Sequence, residues 1–165
     1  IFNEDILKFN FQTKYNLIIS NLPYNLSSKI LEKIIFLKNK PGTMILMFQK
    51  EFAERLLSKD LNSINSLMNC FFKIKFKFNV SKNCFRPVPK IESAVLKFEK
   101  LKKNLIKKDE IENFIIFKRY IFSYKRKSLR KILKKYNIKN TIKSNIRAEK
   151  LSLNELIEIF RQIKF

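Results

Sequence analysis

Apolar residues along this chain fall into short blocks, and their spacing changes near residue 100. Before that point, strand-like and helix-like blocks alternate. Leu17 to Ser20 is a short apolar run that reads as a buried strand. A helix is expected from about Ser27 to Leu37, because Ile30, Leu31, Ile34 and Ile35 recur on one helical face and Ser27 or Ser28 can cap it. Asn39-Lys40-Pro41-Gly42 ends that helix. Thr43 to Phe48 is too apolar for a half-exposed strand and is expected to lie buried on both faces of a parallel sheet. Gln49 then leads into a helix from Lys50 to Ser58. Phe71 to Asn79 alternates, with Phe72, Ile74, Phe76 and Phe78 on one face and Lys73, Lys75 and Lys77 on the other, the period of a half-exposed strand. Ala94 to Glu99 reads as one more strand.

Beyond Leu101 the pattern becomes helical. Residues 102–108 hold four lysines and read as a linker. Helices are expected over about Glu110 to Phe122, Lys127 to Tyr136 and Leu153 to Ile163, the last marked by a capping box of Ser152 with Glu155. Strand, helix, strand, helix and then two strands predict an α/β fold with an open sheet, followed by a small all-α part. The expected domains are residues 1–100 and residues 101–165, with no internal repeat.

Composition narrows the function classes. With 45% hydrophobic residues and 13% aromatics in 165 residues, the chain can bury a core. The 36 Lys+Arg against 14 Asp+Glu leave +22, which favours a polyanionic partner. Lysine far outnumbers arginine amid abundant Ile, Asn and Phe, so roughly half of that excess is assigned to compositional drift. Residues 101–165 carry 19 basic and 6 acidic side chains, net +13, against 17 and 8, net +9, before them; the shorter helical part is the more basic. There is no histidine, and Cys70 and Cys84 are not at metal-ligand spacing, so no metal site is expected and a His-dependent dyad is excluded. Two unpaired cysteines fit a reducing compartment. The longest apolar runs, such as Met44 to Phe48, are far short of a membrane span, and no signal-like segment opens the chain; a cytoplasmic or organelle-matrix location without membrane partners is expected. Gly42 is the single glycine, so there is no Gly-rich loop of the nucleotide-binding type.

Two segments carry candidate chemistry. Asn21-Leu22-Pro23-Tyr24 follows the first strand. An exocyclic amine of a base is a poor nucleophile and must be held for attack. The Asn21 side-chain oxygen and the carbonyl of Leu22 or Pro23 can accept its two hydrogens while Tyr24 stacks on the ring. The bland alternative is an ordinary strand-to-helix turn. The second segment, Cys84-Phe85-Arg86-Pro87-Val88-Pro89-Lys90-Ile91-Glu92-Ser93-Ala94-Val95, places a loop stiffened by two prolines between strands, with Phe85 at its head. Phe85 can face Tyr24 across a base, and Arg86 and Lys90 can contact phosphate. Its alternative is a rigid crossover loop with a core phenylalanine.

Glu4 to Leu7, Asn21 to Ser27, Gln49 to Leu56, Phe85 to Val95, Phe122 to Arg130 and Arg147 to Ser152 occur in the order found in the small-subunit ribosomal RNA adenine N6-dimethyltransferases, the KsgA-type family, which this chain resembles. The resemblance covers about the C-terminal three fifths of a usual member. It implies the back part of a Rossmann-like class I methyltransferase sheet followed by a basic helical RNA-binding domain. It also implies methyl transfer from S-adenosylmethionine to N6 of two adjacent adenines near the 3′ end of small-subunit rRNA, in an immature ribosomal particle and by a monomer.

The resemblance further implies that Asp5 meets the adenine amine of the cofactor and that Asn21 lies between cofactor and target. Leu22, Pro23 and Tyr24 would hold the target base, and Phe85 would stack from the other side. The RNA-binding candidates are Arg55, Arg86 and Lys90, together with Lys125, Arg126, Lys127 and Arg130, whose cations with Lys131, Lys134 and Lys135 are expected to spread over much of a helix surface. Their alternative is a solvated helix. Arg147-Ala148-Glu149 reads as an ion pair and turn ahead of the capped helix.

Three departures stand beside these matches. Ser20 replaces a usual Gly or Ala. Residues 62–67 match poorly the family's Tyr-Gly-x-Leu-Ser segment. The Gly-rich cofactor loop and the acidic residue for the cofactor ribose are expected upstream of Ile1, so weak cofactor binding is expected of these residues alone. Two other readings compete: the sister group that methylates one adenine of large-subunit rRNA and confers antibiotic resistance, and a non-catalytic rRNA-binding assembly factor or transcription-factor relative.

Overall fold

Leu17–Asn21 (β1), Thr43–Gln49 (β2), Phe72–Val80 (β3) and Ser93–Lys100 (β4) form one sheet in the order β1-β2-β4-β3. These strands and their helices belong to a computed structural model that describes residues 3–11, 15–124, 126–134 and 145–163. Two compact units divide it: Ile1–Leu57 with Phe71–Lys102, and Ser58–Cys70 with Lys103–Phe165. The units do not follow one cut near residue 100, because residues 58–70 group with the helical part.

In the first unit, β1 leads through a turn into α1 (Ser27–Phe36), which buries Ile30, Leu31, Ile34 and Ile35 as the helical spacing requires. β2 (Thr43–Gln49) runs parallel to β1, with Leu17 opposite Thr43 and Asn21 opposite Met47. α2 (Lys50–Leu57) follows at once. The return strands β3 (Phe72–Val80) and β4 (Ser93–Lys100) are antiparallel to each other, and β4 is antiparallel to β2. The sheet is therefore mixed, which corrects the expectation of a parallel environment for β2. Nor is β2 buried on both faces: Met44, Leu46 and Phe48 are fully buried, while Thr43, Ile45, Met47 and Gln49 stay partly accessible. The Phe48 ring lies 5.2 Å from Phe52 of α2 and 6.0 Å from Phe98 of β4, so the core fills the α2 side of the sheet. Each such buried aromatic contributes about 2–3 kcal/mol by area.

β3 departs from strict alternation. Phe76 pairs with Leu96 and Phe78 with Val95, which leaves Lys77 as an extra residue in the ladder. One extra residue reverses the side-chain alternation, so Phe78 points to the face of Lys75 and away from that of Phe76. The single apolar face expected of this strand is broken, and Phe76 and Phe78 are 48% and 56% exposed.

The second unit contains α3 (Ser63–Met68), a helix not expected from the spacing. Asn62 caps it by accepting from the Ile64 and Asn65 amides, and Asn65 answers by accepting from the Asn62 amide at 2.7 Å. The buried Asn65 also donates to the carbonyls of Ser58 and Asp60. α4 (Ile111–Ser123) and α6 (Leu153–Gln162) enclose Phe114, Phe117 and Phe160, with Phe160 centred 5.1 Å from Phe114. The Ser152–Glu155 capping box is present. Between α4 and α6 lies α5 (Leu129–Leu133), shorter than expected: Lys127 and Ser128 precede it, Lys134 follows it, and Lys135 and Tyr136 lie outside the described residues. Residues 102–108 form neither helix nor strand, yet they are docked. Ile106 is buried, the Leu105 amide donates to the Cys70 carbonyl, and Arg161 donates to the Leu105 carbonyl.

Candidate functional site

β1 stops at Asn21 because the chain turns at proline. The Leu22 amide still reaches the Met47 carbonyl at 3.4 Å, but Pro23 has no N–H to extend the ladder. The Pro23 carbonyl instead accepts from the Leu26 amide at 3.0 Å and from Ser27 Oγ at 3.3 Å, starting the 3₁₀ helix Tyr24–Leu26 that runs into α1. Of the two carbonyls that the sequence left open, Pro23's is therefore occupied by the turn. Leu22's takes no part in it and is the candidate acceptor. Asn21 and Pro23 are exposed, and Leu22 anchors the turn with a buried side chain.

Residues 81–92 approach the same turn. Ser81 caps the 3₁₀ helix Lys82–Cys84, and the Phe85 amide donates to the Lys82 carbonyl, which places Phe85 at the exit. Asn21, Leu22, Pro23 and Tyr24 then share one cleft of about 380 Å³ with Phe85, Arg86, Pro87 and Pro89. That volume lies within the usual range for small-ligand sites. Among the described residues no ring contact joins Tyr24 and Phe85, so the space between these walls is open. The Tyr24 hydroxyl is 2.6 Å from Ser93 Oγ, and Ser93 is fully buried at the start of β4. Ser93 lies inside the Cys84–Val95 segment, although the sequence reading gave it no role. Its signal was a hydroxyl at the head of the apolar run Ala94-Val95-Leu96.

Lys90 lies apart from this cleft. With Ile91 and Glu92 it lines a second one of about 350 Å³ against Gln49, Lys50, Glu51 and Glu54. Lys50 Nζ is 2.8 Å from Glu92, an ion pair that raises the lysine pKa and lowers the carboxyl pKa, chiefly through the hydrogen bond between them. The charged groups lining this cleft, Lys50, Lys90, Glu51, Glu54 and Glu92, have mixed sign.

The other candidates are dispersed. Asp5 is exposed and caps its own turn: its Oδ1 accepts from the Leu7 amide and its carbonyl from the amides of Lys8 and Phe9. Lys33 of α1 holds that turn through the Leu7 and Phe9 carbonyls, each at 2.7 Å. Asp5 does not line the Asn21 cleft. Arg55 is exposed on α2, with its guanidinium 6.0 Å from the Phe52 ring, and lines neither cleft. Lys125 lies outside the described residues. In the second unit Arg126, Lys127 and Arg130 are all exposed, with Lys127 Nζ 4.5 Å from the Tyr124 ring centre. Arg130, Lys131 and Lys134 share one exposed side at α5 because Leu129, Ile132 and Leu133 take the other; Arg126 and Lys127 precede that helix, and Lys135 lies outside the described residues. Arg147 pairs with Glu149 at 3.7 Å in the turn before α6, as expected of a structural element. Among the described residues no His/Cys/Asp/Glu group can hold a metal ion.

Comparisons with known proteins agree on one family. The model of the family described as ribosomal RNA adenine dimethylase matches residues 1–164. A "Ribosomal RNA small subunit methyltransferase A" of Malacoplasma penetrans is 40% identical over 152 residues, 86% of this chain and 54% of that protein. The crystal structure of a dimethyladenosine transferase from Plasmodium falciparum superposes with a TM-score of 0.83 at 26% identity, covering 98% of this chain and 70% of that one. A 23S rRNA methyltransferase ErmE matches in fold, with a TM-score of 0.73 at 17% identity over 98% and 70% of the two chains. The chain spans about half the length of the Malacoplasma relative.

Proposed function

The chain belongs to the ribosomal RNA adenine dimethylase family, and from that membership we propose that the protein transfers methyl groups from S-adenosylmethionine to N6 of two adjacent adenines near the 3′ end of small-subunit rRNA. The observation that carries this reading is the shared cleft of Asn21, Leu22, Pro23 and Tyr24 with the Phe85 loop. In it, the Asn21 amide oxygen and the Leu22 carbonyl accept the two N6 hydrogens, and Tyr24 and Phe85 take the two faces of the ring. Among the described residues no carboxylate lines the cleft, and the proton lost from N6 leaves to water past the exposed Asn21.

Two groups here suit the cofactor. Asp5 has one carboxylate oxygen engaged by Leu7 and a second able to accept an adenine amine hydrogen, and Asn21 presents an amide beside the target cleft. When bound, S-adenosylmethionine supplies a methyl group already activated by its sulfonium, so the chain's contribution is placement. We assign residues 1–100 to the methyltransferase domain and residues 101–165 to an RNA-binding domain. Within the latter, Lys125, Arg126, Lys127 and Arg130 contact phosphate; in the former, Arg86, Lys90 and Arg55 do so. Such contacts hold RNA without reading its sequence. The substrate is an immature small ribosomal particle, acted on by a monomer in the cytoplasm or an organelle matrix. Among the described residues no helix is long and apolar enough to cross a membrane.

The test offers the purified protein, with labelled S-adenosylmethionine, unmodified small-subunit particles and large-subunit particles in parallel. Dimethyladenine in the small-subunit RNA alone is expected. Label confined to large-subunit RNA moves the protein to the sister group, and no label in either supports a binding protein without catalysis.

A further inference from the structure

We propose that Ser93 is a positioning residue that sets the ring of Tyr24 against the Phe85 loop, a role that rests on reading the cleft as an adenine site. The Tyr24 ring is held at both ends. Its backbone is fixed by the 3₁₀ turn whose Pro23 carbonyl accepts from the Leu26 amide and from Ser27, and its hydroxyl tip meets Ser93 Oγ at 2.6 Å. Ser93 is 0% exposed and its hydroxyl pairs with that of the partly accessible Tyr24, so the tip of the ring is tied to a buried point of the sheet. With the tip free, the ring can swing across the cleft; with it tied, the face offered to a base has one orientation.

The same residue governs the opposite wall. Ser93 is where the loop carrying Phe85 enters β4, pairing with Gln49 of β2 on one side and Val80 of β3 on the other. Its neighbour Glu92 is bound to Lys50 through both main chain and side chain. Pro87 and Pro89 stiffen the stretch between Phe85 and this foot. The Tyr24 wall and the Phe85 wall are thus referenced to one serine, and the gap between them follows from its place in the sheet. Stacking both faces of a ring while presenting N6 for in-line attack needs that gap held within a fraction of an ångström.

Ser93 touches neither base nor methyl group, so its loss should lower turnover rather than RNA affinity, which rests on the basic residues elsewhere. The experiment compares the intact protein with Ser93→Ala, Tyr24→Phe and the double variant. Three quantities are read: kcat and KM for small-subunit particles, the melting temperature, and the fluorescence quenching of an oligoribonucleotide with 2-aminopurine at the target position, which reports stacking without chemistry. We expect each single variant to lower kcat about tenfold, the loss of one buried hydrogen bond, with KM within about twofold. The double variant should be no slower than the worse single, because both remove the same bond, and quenching should fall in all three.

Additive losses in the double variant, or wild-type kcat and quenching in Tyr24→Phe, overturn the proposal. So does a Ser93→Ala protein whose only change is a lower melting temperature. If the wild-type protein quenches 2-aminopurine but methylates no RNA, the catalytic reading fails, while weaker quenching in Ser93→Ala upholds the positioning role. If it neither quenches nor methylates, both fall.

Discussion

Lys50 and Glu92 are joined twice, by the Lys50 amide to the Glu92 carbonyl at 3.0 Å and by their side chains at 2.8 Å. The first bond belongs to the seam where β2 passes into α2, and the second is an exposed ion pair beside it. Together they pin the foot of the Phe85 loop. Exposed pairs add little to global stability. Glu92→Gln should therefore leave the melting temperature nearly unchanged while raising hydrogen–deuterium exchange over residues 86–92. Exchange identical to that of the wild type would show that the main-chain bond alone secures the loop.

Asn21→Ala should reduce methyl transfer by about two to three orders of magnitude, the usual effect of deleting one hydrogen-bonding group that acts on the reacting centre. Asn21 is exposed, so the fold should survive, and RNA affinity measured by filter binding should be unchanged. Dimethyladenine formed at the wild-type rate by this variant would remove Asn21 from the site.

Lys75 and Lys97 face each other across β3 and β4, and Glu99 receives both at 2.6 and 2.8 Å. The two ammonium groups lower the Glu99 pKa to about 2. A carboxyl whose folded pKa is depressed stabilises the fold above its unfolded pKa, near 4.3, and loses that contribution as pH falls through the folded value. Glu99→Gln should accordingly be less stable than the wild type above about pH 5, and the two should converge between there and about pH 2. Urea melts at stepped pH measure it; a difference that persists unchanged to pH 2 would contradict the assignment.

Burial pushes the Cys70 thiol up to about 12, and its sulfur donates to the Ser66 carbonyl at 3.1 Å. Cys84 is exposed. A thiolate is the reactive form, so a thiol reagent at pH 8 should modify Cys84 alone in the native protein and both cysteines in denaturant. Mass spectrometry of the labelled peptides reads the outcome, and native labelling at Cys70 would show that the second unit opens there.

Asn65→Ala removes an acceptor for the Asn62 amide and donors to the carbonyls of Ser58 and Asp60 in a buried setting. The cost should be about 2–3 kcal/mol in urea unfolding, with α3 as the first helix to lose protection. A loss below about half a kcal/mol would mean that water restores those bonds.

Much of this architecture was legible because local patterns and tertiary needs coincide. The apolar stripe of α1, the capping box at Ser152 and Glu155, and the turn at Pro23 each follow from a few adjacent residues. Tyr24 and Phe85, sixty-one positions apart, line one cleft because the sheet brings the end of β1 and the β3–β4 loop together. What was missed had either an unusual local cause or a distant partner. α3 depends on two asparagines capping each other in a stretch of ordinary loop composition. The mixed sheet depends on the return direction of β4, which the apolar content of β2 does not encode. The bulge at Lys77 reverses Phe78 although the alternation of Phe and Lys runs unbroken through it.

By itself the sequence determined which residue types were available for the chemistry: an amide, carbonyls, two aromatic rings and many cations, with no histidine and a single glycine. Composition and order suffice for that, since they do not depend on folding. Only the tertiary structure decided which groups remain free to act. It committed the Pro23 carbonyl to the turn and left that of Leu22. It moved Lys90 to a neighbouring cleft, and it confined the α5 cations to one side by burying Leu129, Ile132 and Leu133. It also joined Tyr24 to Ser93 across the sheet. The Pro23 partners are local, but the Tyr24–Ser93 bond, the cleft lining and burial depend on residues far apart in the chain, and no local pattern records them.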